Sequence, residues 1–206
     1  GIQRDGSFYQ HQSRLQTFHY GRGYLDVVCK IAWQLRETPW AIPEHKRAII
    51  SNYILEGPQW MCRGTYTVPG TLDRMVSRKG SLHQDLRHLL RLWIEVDPKH
   101  RKELEAFAAR QEGDRKPLVG YRHFPLGDFT AYHRPAASVF LKTVSSRTRF
   151  TESINSENQK GVPYLNCGDH YVLRDGLEYH QLQPLWQWNY LPGLTTMPPE
   201  NLKQER

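Results

Sequence analysis

The apolar residues of this chain change their spacing once, near residue 117, from steps of three and four to steps of two. No single regular element satisfies both periods, so the chain must fold as helices followed by strands. Before the change, Tyr24, Val27, Val28, Ile31, Ala32 and Leu35 fall on one face of a helix that must end before Thr38 and Pro39. Pro43 can open a second helix carrying Ile49, Ile50, Tyr53 and Ile54. Ser81 with Gln84 has the spacing of a capping box, which predicts a third helix through Leu82, Leu86, Leu89, Leu90 and Trp93. Asp97 and Pro98 predict a cap and first turn for a fourth, with Leu104, Phe107 and Ala108 inward. After the polar stretch Gln111-Glu-Gly-Asp-Arg-Lys-Pro117, Phe129, Ala131 and His133 alternate with Thr130, Tyr132 and Arg134. The β-branched and aromatic run from Val139 to Val144, then Tyr171-Val-Leu-Arg-Asp-Gly176, read as further strands. Strands following helices in series argue for an α+β chain of two layers or domains rather than an alternating α/β sheet. The polar tail from Pro198 to Arg206 is expected to be mobile.

Composition narrows the partner. At 206 residues the chain is long enough to bury a core, and 38% hydrophobic with 12% aromatic residues excludes disorder. No run approaches the roughly 18 apolar residues of a membrane-crossing helix. The first twenty residues, with Arg4, Asp5 and Arg14, are not a secretion segment, so any export signal lies outside the chain. A net charge of +7 favours a polyanionic partner, whether nucleic acid, acidic polysaccharide or anionic membrane. Cys29, Cys62 and Cys167 have no metal or disulfide spacing, and His83 and His88, five apart, share a helical face poorly. Dinucleotide, P-loop, serine-hydrolase and zincin signatures are missing. A strongly patterned segment starts almost at Gly1, as expected of a piece of a larger protein.

Four segments carry the groups that do chemistry. The first is Asp5-Gly-Ser-Phe-Tyr-Gln-His11 followed by Thr17-Phe-His-Tyr20-Gly-Arg-Gly23. There His11, His19 and Tyr20 are able to transfer protons, and Gly21 and Gly23 permit unusual backbone conformations. An isolated His or Tyr in a loop is more often a satisfied polar residue than a catalyst. The second is Leu72-Asp-Arg74-Met-Val-Ser-Arg78, whose two arginines would project from one face of a helical turn and could grip a carboxylate or sulfate. A solvated basic face is the commoner outcome. The third, Ser146-Arg-Thr-Arg-Phe-Thr-Glu152-Ser-Ile-Asn155-Ser-Glu-Asn158-Gln-Lys-Gly161, makes either a polar site or a surface hairpin loop. The fourth, Pro184-Leu-Trp186-Gln-Trp188-Asn-Tyr-Leu-Pro192-Gly193, stacks on sugars or bases, or covers a sheet; core packing is the better reading of its two Trp.

In order and spacing these segments, from Asp5 to Thr196, jointly resemble the family 8 polysaccharide lyases, which include chondroitin AC, hyaluronate and xanthan lyases. The chondroitin AC type looks most similar. The resemblance implies the C-terminal helices of an incomplete α/α toroid over residues 1–116 and the start of an antiparallel β-sandwich domain over 117–206. It implies β-elimination from a uronic acid: the C5 proton is removed, the bond to the C4 glycosidic oxygen breaks, and a 4,5-unsaturated sugar remains. A proton beside a carboxylate is hardly acidic, so that carboxylate must be neutralised. His11 matches the histidine that shares this task with an asparagine, which the resemblance puts before Gly1. Tyr20 matches the tyrosine that acts as base and then protonates the leaving oxygen. Since an unperturbed tyrosine has a pKa of about 10, that role needs adjacent positive charge. Arg74 matches the arginine supplying it, Arg78 a second basic residue of the subsite, and Glu152 with Asn155 the pair contributed by the strand domain, Glu152 orienting Arg or His side chains.

The implied partner is an acidic polysaccharide, with no nucleic acid, membrane, metal or cofactor, and the implied location is secreted or periplasmic. Further toroid helices and β-domains of the same protein are expected. The alternative is a catalytically silent polysaccharide-binding fragment. Asp73 stands where the family usually has Gly, and either narrows sulfate tolerance by repulsion or points away.

Overall fold

A computed structural model describes residues 1–113, 117–159, 164–188 and 190–193. The expected tail, Lys160 and Gly161, Asn189 and the centre of the polar stretch lie outside the described residues. The order is a short hairpin of β1 (Tyr9–Gln10) and β2 (Arg14–Leu15), then α1 (Tyr20–Leu35) and α2 (Glu44–Glu56). A second short hairpin, β3 (Cys62–Arg63) with β4 (Tyr66–Thr67), precedes α3 (Arg87–Val96) and α4 (Arg101–Gln111). Four antiparallel strands follow, β5 (Gly120–Phe124), β6 (Phe129–His133), β7 (Ser138–Lys142) and β8 (His170–Leu173), paired in chain order. The arrangement is α+β, helices first and an antiparallel sheet after.

The period of two is realised where it was expected. Phe129, Ala131 and His133 of β6 face inward, as do Phe140 of β7 and Tyr171 and Leu173 of β8. Phe129, Ala131, Phe140, Tyr171 and Leu173 join one core with Leu25, Cys29 and Ala32 of α1, Tyr53 and Ile54 of α2, Leu89, Leu90 and Trp93 of α3, and Leu104 and Phe107 of α4. Helical and strand halves therefore share apolar burial, which fixes one against the other.

Three local expectations need correction. The buried face of α1 is Gly21, Leu25, Cys29 and Ala32, while Tyr24, Val27 and Ile31 of the predicted inward stripe are exposed. Ser81 and Gln84 form no capping box: α3 starts at Arg87, and residues 81–84 turn back onto the β3–β4 hairpin through the Tyr66–His83 bridge and the Gln84 N–H to Thr65 carbonyl bond. Asp97 and Pro98 do stand at the cap and first position, but of a 3₁₀ turn, Pro98–His100, that precedes α4, and the Asp97 carboxylate also accepts from Ser51 and pairs with His100.

Candidate active site

Four separate segments meet at one polar cluster, and each is delivered by local chain geometry. Asp5 accepts from the Ser7 N–H at 3.0 Å and the Leu126 N–H at 2.8 Å, tying the N-terminal loop to the β5–β6 turn. The β1–β2 hairpin that follows turns through His11 and Gln12, both in the left-handed region at φ 50° and 69°, which throws the His11 ring inward. Tyr20 is the first residue of α1. Gly21 behind it is helical, not unusual in conformation: its value is closeness, since an added Cβ would lie 2.5 Å from the Tyr53 hydroxyl and 3.0 Å from the Phe8 ring. Gly23 has open space around it and a helical conformation. Arg74 and Arg78 come from the 3₁₀ turn Asp73–Ser77, and Glu152 from the long connection between β7 and β8.

Arg74, with its side chain 5% exposed, is the hub. Its Nη2 donates to the Tyr20 hydroxyl at 2.9 Å, its Nη1 pairs with Glu152, and its Nε donates to Glu157 Oε2 at 2.9 Å. Glu152 Oε1 also accepts from His11 Nδ1 at 2.7 Å and from Gln16 Nε2 at 3.4 Å. The His11 and Tyr20 ring centroids are 5.0 Å apart. Arg78 reaches the same Glu157 through Nε and through Nη2 at 3.2 Å, so the two arginines do share a face, and it is a protein carboxylate that they grip. His11, Tyr20, Arg74, Arg78 and Glu152 are brought together; Asn155, exposed at φ 57° in the turn of the same loop, forms no hydrogen bond with them among the described residues.

The charges explain one another. Burial works against the Glu152 carboxylate, yet the His11 hydrogen bond and the charges of His11, Arg74 and Arg14 hold it below the usual carboxylate range. Burial alone would weaken the Arg74 guanidinium as a base, but Tyr20, Glu157 and Glu152 raise it above its ordinary value. Glu157 is held low chiefly by Arg78. His19, whose ring centroid lies 4.3 Å from that of Tyr20, is pushed down to about 4 by burial and then by the Arg74 and Arg78 charges, so it is a neutral wall beside the tyrosine.

Sequence reasoning did not assign Glu157, although it stood in a quoted segment. Its signal was available: two cations four residues apart on one face call for a counter-acid, and that segment contains a second acid besides Glu152. Asp73 does not face the cluster's open side. It is 1% exposed, at φ 53°, with its carboxylate turned to the backbone of residues 151–152. Trp186 stacks on Tyr171 with an interplanar angle of 17°, and Trp188 meets Trp186 edge-on, so these aromatics pack against the sheet end. Among the described residues no group of three His, Cys, Asp or Glu side chains stands where it could hold a metal ion.

Two family models match: polysaccharide lyase family 8, N terminal alpha-helical domain, over residues 1–107, and polysaccharide lyase family 8, super-sandwich domain, over residues 119–205. The chain is 35% identical over 204 residues to the chondroitinase-AC of Pedobacter heparinus, covering 95% of itself and 29% of that protein. It is 24% identical over 197 residues to a hyaluronate lyase of Thermasporomyces composti, covering 78% of itself and 25% of that protein. Among solved structures it matches a chondroitinase AC lyase studied as oligosaccharide complexes, at TM-score 0.84 and 31% identity, over 96% of this chain and 32% of the other. It matches the fold of the Streptomyces coelicolor A3 chondroitin AC lyase determined with chondroitin sulphate at TM-score 0.73 and 21% identity, over 93% of this chain and 32% of the other. The chain thus spans under a third of the length of these relatives.

Proposed function

Because this chain belongs to polysaccharide lyase family 8, we propose that it is the central part of a secreted or periplasmic glycosaminoglycan lyase that cleaves chondroitin sulfate or hyaluronan by β-elimination. In this reading residues 1–116 end an α/α toroid and residues 117–206 begin the β-sandwich domain. The exposed apolar stripe of Tyr24, Val27 and Ile31 on α1 supports further toroid helices of the same protein packing there.

The observation that carries the reading is the single guanidinium of Arg74 bonded at once to the Tyr20 hydroxyl and to Glu152, with His11 on the same carboxylate oxygen. Binding alone has no use for a phenol pressed against a cation. Elimination does, because the base must lose its proton near neutral pH and return it to the leaving oxygen. Tyr20 removes the C5 proton and then protonates the C4 oxygen. Arg74 stabilises the phenolate and contacts the same oxygen, so the charge it carries serves both halves of the step. Glu152 accepts from His11 Nδ1, which fixes the ring and leaves its other nitrogen, Nε2, for the uronate carboxylate. An asparagine outside this chain shares that carboxylate. Arg78, half-exposed, contacts an acidic group of a neighbouring sugar, and Asn155 faces substrate from the loop tip.

The test is ultraviolet absorbance of the conjugated unsaturated uronate while the full-length protein acts on chondroitin sulfate, hyaluronan, dermatan sulfate and xanthan. A rise with chondroitin sulfate or hyaluronan is expected. Flat traces with all four, alongside measurable glycan binding, would replace this reading with the silent binding one.

A further inference from the structure

We infer that Asp73 is a positioning residue for the Arg74–Glu152 pair: its buried carboxylate fastens the loop of the strand half to the turn of the helical half that carries Arg74, and so sets where the guanidinium stands against Tyr20. The inference rests on the reading of Tyr20 and Arg74 given above and extends it to a residue that touches neither substrate nor reacting atoms.

One carboxylate oxygen makes the connection. Asp73 Oδ1 accepts from the Arg74 backbone N–H at 2.7 Å, from the Glu152 backbone N–H at 3.1 Å and from the Thr151 hydroxyl at 3.3 Å. Asn158 closes the other side of the loop, its side-chain amide donating to Thr151 Oγ1 at 2.8 Å and to the Glu152 carbonyl at 3.2 Å. Arg74 and Glu152 are therefore joined twice, side chain to side chain and backbone to backbone through Asp73, across 78 positions of sequence. A single ion pair between long side chains leaves both free to swing; the second tie removes that freedom at the Cα end of each.

The conformation of the turn supports a selected role. At φ 53° a glycine would sit without strain, whereas aspartate occupies the left-handed region at some cost. Burial adds a further cost, since an ionised carboxyl at 1% exposure is desolvated. The charged groups that act on it include Glu152, Arg14 and the buried Lys142 of β7. The carboxyl's own ligands are backbone and hydroxyl donors, and no guanidinium or ammonium pairs with it among the described residues. Two local costs at one position, offset by bonds that all lead to the catalytic pair, are what a positioning group looks like.

The experiment compares Asp73→Gly, Asp73→Ala and Asp73→Asn in the full-length protein. Glycine removes the carboxylate and also the φ strain; asparagine keeps Oδ1 as an acceptor. We expect the Gly and Ala variants to lose about 10-fold or more in kcat with KM within about twofold, and the Asn variant to stay within about threefold of wild type in both. Wild-type kcat in Asp73→Gly, or a loss confined to KM, would overturn the inference. So would a lower Tm at unchanged kcat, which describes a merely structural residue. Amide hydrogen exchange at Glu152, expected to be accelerated about tenfold or more in Asp73→Gly, reads the clamp without any substrate. If the wild-type protein eliminates none of the four polymers, the lyase reading fails by itself, and unchanged exchange at Glu152 remains the result that would end this one.

Discussion

The Tyr20 hydroxyl accepts a hydrogen bond from Arg74 Nη2 at 2.9 Å, and the guanidinium carbon stands over the tyrosine ring, 5.6 Å from its centroid. The remaining nitrogens of the same group are engaged by Glu152 and Glu157. Two carboxylates thus aim one cation at one phenol. The arrangement spans both halves of the fold, because Tyr20 and Arg74 come from the helical part and both acids from the connection between β7 and β8.

Tyr20→Phe tests the base most directly. The substitution removes one oxygen and keeps the ring that packs against His11 and His19. Turnover in the full-length protein should be abolished while the dissociation constant for the glycan moves by less than about threefold, since only an interaction of the transition state is lost. Calorimetric titration beside the absorbance assay measures both, and wild-type rates in this variant would remove Tyr20 from the mechanism.

Arg74→Lys separates charge from geometry. A lysine keeps the cation but cannot span Tyr20, Glu152 and Glu157 at once, because the planar fork is what reaches three partners. The kcat/KM should fall about 100-fold or more. Arg74→Ala should go further and cost about 3–5 kcal/mol of stability, because it leaves Glu152, 6% exposed, without its guanidinium. Chemical denaturation gives the second number.

Much of this was legible in the sequence, and the parts that were not share a physical cause. The change of period near residue 117 announced the order of helices and strands because one-sided burial imposes a period on any element that has it. β6 obeys that rule with Phe129, Ala131 and His133 inward. On α1 the rule identified an apolar face without saying what lies against it: Leu25, Cys29 and Ala32 are buried in the core that α1 shares with α3, while Val27 and Ile31 are exposed and Tyr24, also exposed, leans on the Phe8 ring. The Ser81–Gln84 spacing failed because tertiary bonds to Thr65 and Tyr66 claimed those residues first. In the site, residue types and spacings singled out three segments that the fold brings together, 5–23, 72–78 and 146–161, while the fourth, 184–193, packs against the sheet end. That Glu157 and Asp73 tie them together depends on contacts across about eighty residues, which no local pattern encodes.

Glu157→Gln should lower KM and kcat together. Its carboxylate neutralises Arg74 and Arg78 in the absence of polymer. Without that charge both cations attract a polyanion more strongly, so KM at fixed salt should fall, while the loosened Arg74 lowers kcat by about tenfold. Steady-state kinetics at matched ionic strength decides this, and a raised KM with unchanged kcat would show that Glu157 does not act through the two arginines.

Gly21→Ala probes how Tyr20 is held. Alanine is favoured over glycine inside a helix by about 1 kcal/mol. Here its Cβ would meet the Tyr53 hydroxyl at 2.5 Å, and Tyr53 is 1% exposed and cannot swing into solvent. Overpacking should win, destabilising the protein by about 1–3 kcal/mol and lowering kcat as the start of α1 shifts. A thermal melt equal to or above wild type would mean that the neighbours yield freely.

The titration of Asp73 gives a pH signature with a defined sign. Burial, partly opposed by the Glu152 and Arg74 N–H bonds, raises this carboxyl from 3.8 to about 6. Between those values the folded state keeps a proton that the unfolded chain has released, so this group's contribution to stability falls as pH rises from about 4 to about 6. Above that window its ionised form costs the native state about 2 to 3 kcal/mol. Asp73→Asn removes the charge and keeps the acceptor, so its Tm should exceed that of wild type at pH 7 to 8, and the gap should close as pH falls to about 4. Asp169, also raised to about 6 by burial, and His19, lowered to about 4, titrate in the same range. They are present in both proteins, so the difference between the two melting curves isolates Asp73. A gap that is independent of pH would mean that Asp73 is not the group that titrates there, whereas a gap that closes while the asparagine variant keeps its kcat would tie the charge to stability and the acceptor to the site.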